Sequence, residues 1–527
     1  MRTVQSSSHR SLSRSFSLLL ALTVVGAAGV TAQFGPPAQQ LWTQGHVLGE
    51  SAETTDLFGS ALVSGDWDGD GYDDLAIAAI DEDYDAVSNA GVVHTFYGTW
   101  NGLAALGAQT FRQTREGGTD GETDDRFGNV LAKGDFDGDG YDDLVVGAPN
   151  EDSSVTDSGS AQVFYGSPLG LSYERTQFLF QGAGTIDNWV AGVPMQGDRF
   201  AAALAAGDFN HDGYDDLAVG APGDRNPKKG GGETSGGGVH LIYGSPSGLS
   251  FVGDLLFRRE SLTLTVSAYN SSFGASLAAG DFDGDGKTDL AIGDPGHTQN
   301  VGSTAFFGCG AVYVVFGGST GLQLSRYQFF YQGTATSLGL AESNDGFGAR
   351  LAPGDLNGDG RSDLVVGVPA EDIETIDRAG AINVLYGATG GLTTAGALFL
   401  HQASAGVVEE AEAVDYFGNA LAIGNVVGGG TADLLVGVEL ENLTAGAYHL
   451  FAGGPTGLTL TGNALRTWTS TAGDRYDVYG AALTLGDFDG NGALDIAVGA
   501  PHEDSANASS TGLVQVTYGW APDVVLP

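Results

Sequence analysis

The 527-residue chain carries 65 acidic against 21 basic side chains, a formal net charge of −44, with 86 glycines and 42% hydrophobic residues. No basic stripe is present to displace counterions from a phosphate backbone, which excludes nucleic acid as the default partner and disfavours anionic membrane surfaces. Abundant glycine without a Gly-X-Y period, beside an ordinary apolar fraction, excludes collagen and global disorder and points to tight turns between short strands.

In chain order, Arg2, Arg10 and Arg14 precede an uncharged apolar stretch from Phe16 to Val30, and Val30-Thr31-Ala32 offers small residues at a cleavage point. Residues 1–32 therefore read as a secretory signal peptide, since the apolar stretch falls short of the roughly 20 residues that span a bilayer. Residues 33–40 read as a short linker. The chain is expected to be secreted or cell-surface associated, with no membrane span. Its single cysteine, Cys309, stands before the strand-like run "GAVYVVFG" and reads as a small buried hydrophobe, with an intermolecular disulfide as the alternative. An exported chain without a disulfide framework needs another source of rigidity.

A lone strand, "LWTQG" from Leu41, comes next. A unit then recurs seven times. Each unit opens on an aromatic and a small residue: Phe58-Gly59, Phe127-Gly128, Phe200-Ala201, Phe273-Gly274, Phe347-Gly348, Phe417-Gly418 and Tyr479-Gly480. Eight residues after the aromatic begins an acidic loop such as "DFDGDGYDD", followed by an apolar run such as "LVVGAP" from Leu144 and an aromatic-glycine step such as Tyr165-Gly166. The loops start at positions 66, 135, 208, 281, 355, 425 and 487, a period of 62 to 74 residues. Short β-rich runs bounded by Gly, Pro and Ser, with no amphipathic pattern of helix length, give four strands per unit. The predicted fold class is all-β, a seven-bladed β-propeller of four-stranded antiparallel blades over residues 41–527. The last unit has no fourth strand after Tyr518-Gly519, and the strand from Leu41 is expected to complete it and close the ring, removing the last open edges.

Counted from its first acid, the loop has acids or amides at positions 1, 3, 5 and 9 in six of the seven copies, with a glycine at 6 and a main-chain carbonyl available at 7. The candidate metal ligands are Asp66, Asp68, Asp70, Tyr72 and Asp74 in the first loop, and Asp135, Asp137, Asp139, Tyr141 and Asp143 in the second. The third has Asp208, Asn210, Asp212, Tyr214 and Asp216, and the fourth Asp281, Asp283, Asp285, Lys287 and Asp289. The fifth has Asp355, Asn357, Asp359, Arg361 and Asp363, and the seventh Asp487, Asp489, Asn491, Ala493 and Asp495. Alternating oxygens facing one centre suit a hard cation with 6–8 ligands, calcium ahead of the stricter magnesium. An EF-hand is excluded, because its bidentate Glu at position 12 is replaced throughout by Ile77, Val146, Val219, Ile292, Val366, Val436 or Val498. Isolated Asp-Gly steps usually mark only turns, but turn chemistry does not require acids at every second place in six copies. The sixth loop, with Asn425, Val427 and Gly429 at positions 1, 3 and 5, keeps only Asp433 and is expected to bind no ion. About six calcium sites result, structural in role.

No catalytic residue is assigned and no enzymatic activity is expected. Paired-carboxylate catalysis needs two acids in distinct environments, which near-identical loops do not supply. The nine histidines are scattered, without HExxH. The alternative function is an extracellular polysaccharide lyase or hydrolase built on the same ring.

Phe-Gly, the acidic loop and Gly-Ala-Pro in repeated succession resemble the FG-GAP repeat of the integrin α-subunit β-propeller. The resemblance implies calcium on one face of the ring and partners, commonly in adhesion, on the other. Antiparallel connectivity sends the acidic loop and the "GSPxGL" hairpin to one face. The variable connections from Gly182, Gly223 and Gly296 go to the other, where binding residues usually sit. Arg225, Lys228, Lys229 and Trp189 are the candidates there for an extracellular protein or glycan. Asn270-Ser-Ser and Asn442-Leu-Thr are potential glycosylation acceptors. The chain is expected to act as a monomeric recognition module.

Overall fold

In each repeat the run after the acidic loop is apolar at consecutive positions, the mark of a strand buried on both faces. In the computed structural model all seven such runs are six-residue strands with every residue buried, from Asp74–Ala79 in blade 1 to Asp495–Ala500 in blade 7. The structure describes residues 38–519 apart from 48–51, 85–86, 115–120, 154, 183–188, 228–232, 263–270, 302–303, 334–337, 442–444, 469–475 and 506–507. The signal peptide, most of the linker, Lys228, Lys229, Asn270 and Asn442 lie outside the described residues.

Blade 2 shows the plan: Val130–Gly134, Asp143–Ala148, Ser160–Phe164 and Thr176–Gln181 pair antiparallel in chain order. Blades 1, 3, 4, 5 and 6 repeat it. The seventh is completed by Gln39–Trp42, which pairs antiparallel with Leu513–Thr517 from Gln39 opposite Thr517 to Trp42 opposite Val514. The expected closure is therefore observed, its strand starting two residues earlier, inside the segment read as linker. Tyr518 locks the seam: its hydroxyl bonds Gln40 and accepts from the amide of Leu103, 2.8 Å away in blade 1.

The signature residues meet across blade junctions. The opening aromatics are buried, at most 2% exposed. The Phe-Gly glycine of one blade lies on the Gly-Ala-Pro glycine of the blade before it. A methyl group on Gly220 would stand 2.0 Å from the carbonyl oxygen of Gly274, and one on Gly499 2.1 Å from that of Gly59. Only hydrogen side chains permit that approach. Hydrophobic clusters fill the junctions, such as Phe136, Val145, Val163, Phe200, Leu217 and Val219 between blades 2 and 3.

Among the described residues, three connections on the variable face contain short strands. Trp189–Val190 is a short fifth strand, parallel to Thr176–Gln181 on the edge of blade 2. Arg225–Pro227 pairs with Glu233–Ser235, and Gln299–Val301 with Thr304–Phe306, as two-stranded hairpins. Cys309 is buried, as expected of a small hydrophobe, and its thiol donates weakly to the carbonyl of His297 at 3.5 Å. No helix among the described residues is long and apolar enough to cross a membrane.

Candidate metal centres

Each acidic loop joins the first two strands of a blade and curls around its own carboxylates. In blade 2, Asp135 accepts hydrogen bonds from the amides of Gly138, Asp139 and Gly140 at 2.7, 3.1 and 3.0 Å. Asp137 accepts from Asp139 at 3.2 Å, and Asp139 from Tyr141 at 3.2 Å. Gly138 and Gly140 take φ of 70° and 89°, the left-handed backbone such a curl demands.

The same bonds recur in the other acidic loops. Asp66 accepts from Asp70 and Gly71, Asp208 from Asp212 and Gly213, and Asp281 from Gly284, Asp285 and Gly286. Asp355 accepts from Gly358, Asp359 and Gly360, and Asp487 from Asn491 and Gly492. The position-3 groups Asp68, Asp283, Asn357 and Asp489 each accept the amide of position 5. In blade 3, Asn210 instead donates its side-chain amide to Asp212.

Carboxylate oxygens converge within 4.8 Å of one another in four loops: Asp66, Asp68 and Asp70; Asp135, Asp137 and Asp143; Asp281, Asp283 and Asp285; and Asp487, Asp489 and Asp495. Among the described residues blades 3 and 5 make no such three-acid group, and there an amide, Asn210 or Asn357, stands at position 3. Three convergent carboxylates held by backbone amides form an all-oxygen donor set that fits a hard divalent cation.

Position 9 does more than the sequence assigned to it. Asp143 is fully buried, and its two oxygens accept from the amides of Phe136 and Gly166, both at 2.9 Å. It thereby buckles the loop to the aromatic-glycine step. Asp74, Asp216, Asp289, Asp363 and Asp495 make the same pair of bonds. So does Asp433 in blade 6, where every other acid of the loop is missing, with Val426 at 2.8 Å and Gly453 at 2.9 Å. Burial pushes the carboxyls of Asp74 and Asp143 up to about 8, and those of Asp216, Asp289, Asp363 and Asp495 to about 7, against the lowering effect of their two amides.

Position 7 also has a second use. The amides of Tyr72, Tyr141, Tyr214, Lys287, Arg361 and Ala493 donate to the group at position 5 of their own loop. The rings of Tyr72, Tyr141 and Tyr214 then cover a glycine of the preceding blade's loop, Gly490, Gly69 and Gly138 respectively.

Position 8 was not singled out in the sequence, hidden in the "DD" doublet. The carboxylate of Asp142 accepts the amide of Asp66 at 3.1 Å while its own amide donates to the carbonyl of Asp66 at 3.1 Å. Asp215 clasps Asp135 and Asp73 clasps Asp487 in the same way. Neighbouring loops are thus linked at three junctions, between blades 1 and 2, 2 and 3, and 7 and 1.

The opposite face holds a second set of buried acids. Glu82, Glu371 and Glu441 accept from the side-chain amides of Gln44, Gln332 and Gln402 of the preceding blade, and Glu151 accepts likewise from Gln113. Desolvation pushes Glu151 and Glu371 up to about 8, and in Glu151 the charge of the neighbouring Asp125 adds to it.

Comparison with known proteins agrees with this architecture. The FG-GAP repeat model matches residues 127–164, 200–242, 273–315, 347–385 and 479–517, the three inner strands of blades 2, 3, 4, 5 and 7. A phosphatidylinositol-glycan-specific phospholipase D of Bos taurus is 38% identical over 172 residues, 32% of this chain and 19% of that protein. Integrin alpha-PS2 of Drosophila melanogaster is 34% identical over 256 residues, 46% of this chain and 16% of its own length. Integrin alpha-5 of Xenopus laevis is 30% identical over 270 residues, 50% of this chain and 22% of its own. The chain spans less than a quarter of each of these relatives. With its blades built and closed as the repeat implies, the chain is an FG-GAP repeat protein carrying an integrin-α-like β-propeller.

Proposed function

We propose that this chain is an exported, calcium-stabilised recognition module that binds an extracellular protein or glycan through the variable face of its ring. The observation that carries the reading is the convergence of three carboxylates in each of four loops, held by backbone amides at fixed geometry. Calcium would be held by positions 1, 3, 5 and 9 with the carbonyl of position 7, at six blades and not at the sixth. When bound it supplies two positive charges that relieve carboxylate repulsion between the first two strands. Binding, by contrast, belongs to the connections on the other face, which vary in length and project from a rigid scaffold. Integrin relatives favour adhesion or recognition for this ring.

Protein and glycan arrays probed with the purified chain, with and without calcium, test the reading. Calcium-dependent capture of a defined ligand is expected, and variants in the Arg225 hairpin should weaken it without changing the melting temperature. The phospholipase D relatives motivate a second reading, a hydrolase. Turnover of a phosphatidylinositol-glycan or polysaccharide substrate that persists through purification would favour it.

A further inference from the structure

Two of the acidic loops receive a positive charge from the residue just before the fourth strand, apart from the position-7 cations Lys287 and Arg361, which meet Asp285 at 2.8 Å and Asp359 at 3.4 Å within their own loops. In blades 2 and 4 the guanidinium groups of Arg175 and Arg326 pair with the position-3 carboxylates of Asp137 and Asp283. Arg175 also reaches Asp139 at 3.5 Å. Each guanidinium lies over the aromatic ring of the aromatic-glycine step, 4.5 Å from the Tyr165 centroid and 4.1 Å from that of Phe316. Stacking on a ring while an edge meets a carboxylate uses the two faces of chemistry that distinguish arginine from lysine. The bonded oxygen of Asp137 is not the one that accepts the amide of Asp139, so the arginine leaves the loop's own curl intact.

The other blades show that this is a local addition. Strand pairing sets Leu179 opposite Ala161 and Phe330 opposite Val312, with the arginines four residues earlier. The same count in blades 1, 3, 5 and 6, from Phe111, Phe257, Leu400 and Arg466, reaches Gly107, Gly253, Gly396 and Gly462. All four glycines have φ between 82° and 94° and sit where the strand register shifts. Blade 5 has an open cleft at this place, about 400 Å³, bounded by Asn357, Asp359, Tyr386 and Gly396. Blade 1 is the instructive contrast. It has the same four aspartates as blades 2 and 4, but a glycine where they have arginine.

We infer that Arg175 and Arg326 are resident counter-ions, which keep the loops of blades 2 and 4 folded when calcium is absent and moderate their calcium affinity when it is present. The inference rests on the calcium reading above. A guanidinium against one carboxylate offsets part of the repulsion among four, and opposes a second cation entering beside it. The loop of blade 1, with no such charge, then depends most on the metal for its shape.

Hydrogen exchange on the full chain tests this within one molecule. In EDTA, the amides of residues 135–143 and 281–289 are expected to exchange at least about tenfold more slowly than those of residues 66–74. Equal rates, or slower exchange in blade 1, would overturn the inference. Arg175→Gln is expected to bring the blade 2 loop to the blade 1 rate in EDTA. It should also lower, on the order of tenfold, the calcium concentration at which that loop becomes protected. A shift of that midpoint to higher calcium would show that the arginine positions a ligand instead of competing with the ion, and would overturn the inference. Adding calcium to the unaltered chain separates the two proposals: if no loop gains protection, the calcium reading fails, while the EDTA comparison still decides the role of the arginines.

Discussion

Asp433→Ala in blade 6 separates the buckle from the metal. Asp433 accepts from the amides of Val426 at 2.8 Å, Val427 at 2.7 Å and Gly453 at 2.9 Å, at a site where it is 1% exposed. Alanine leaves three amide donors without their partner, and each buried, unsatisfied donor costs about 1–3 kcal/mol. Partial access of solvent to the loop beyond Val427 lowers the sum, so a loss of about 3–5 kcal/mol is expected. That is a large fraction of the roughly 5–15 kcal/mol that holds a domain folded. Urea denaturation followed by tryptophan fluorescence, in saturating calcium and again in EDTA, reads the change. Because no other acid of this loop remains, the loss should be the same in both. A loss confined to calcium would mean that Asp433 stabilises through an ion, and would refute the assignment of position 9 as a hydrogen-bonded buckle independent of metal.

Chelation should lower the melting temperature of the unaltered chain substantially, because an ion at ten times its dissociation constant stabilises by about 1.4 kcal/mol per site. Asp137→Ala should remove one bound ion, as counted by isothermal titration, whereas Val427→Ala should leave the count unchanged. Gly220→Ala should destabilise by more than about 3 kcal/mol in a melting experiment, since its methyl would meet the Gly274 carbonyl at 2.0 Å and the two blades must separate to admit it. The buried glutamates set a pH dependence. Burial pushes Glu151 and Glu371 up to about 8 in the folded chain, against an ordinary 4.5. The folded chain therefore holds more protons, and stability declines as pH rises from 4.5 to about 8, by up to roughly 1.4 kcal/mol per pH unit and group. Glu151→Gln should flatten that decline in melting temperatures recorded across pH at saturating calcium; an unchanged slope would count against the burial argument.

The ring was legible because its determinants are local and repeated. The period and the Phe-Gly and Gly-Ala-Pro signatures each report a backbone requirement that few residue types satisfy. The acidic loops were legible for the same reason. What one unit cannot display is what its neighbour does to it. Asp142 reads as a second acid in a doublet until the adjacent blade brings the amide of Asp66 against it. Tyr141 reads as a carbonyl donor until Gly69 is found beneath its ring. Arg175 stands just before the fourth strand, 38 residues from the Asp137 it serves, and no spacing rule connects them. Position 9 was assigned to the ion by its place in the pattern, whereas its retention in blade 6 marks a hydrogen-bonding duty that the pattern alone does not separate from ligation.

Counting the metal tests the account most directly. After equilibration in calcium and removal of free ion by gel filtration, elemental analysis of the folded chain is expected to find about six calcium ions per molecule, falling to five in Asp68→Ala. A chain that carries no calcium, and melts at the same temperature in EDTA as in calcium, would contradict it.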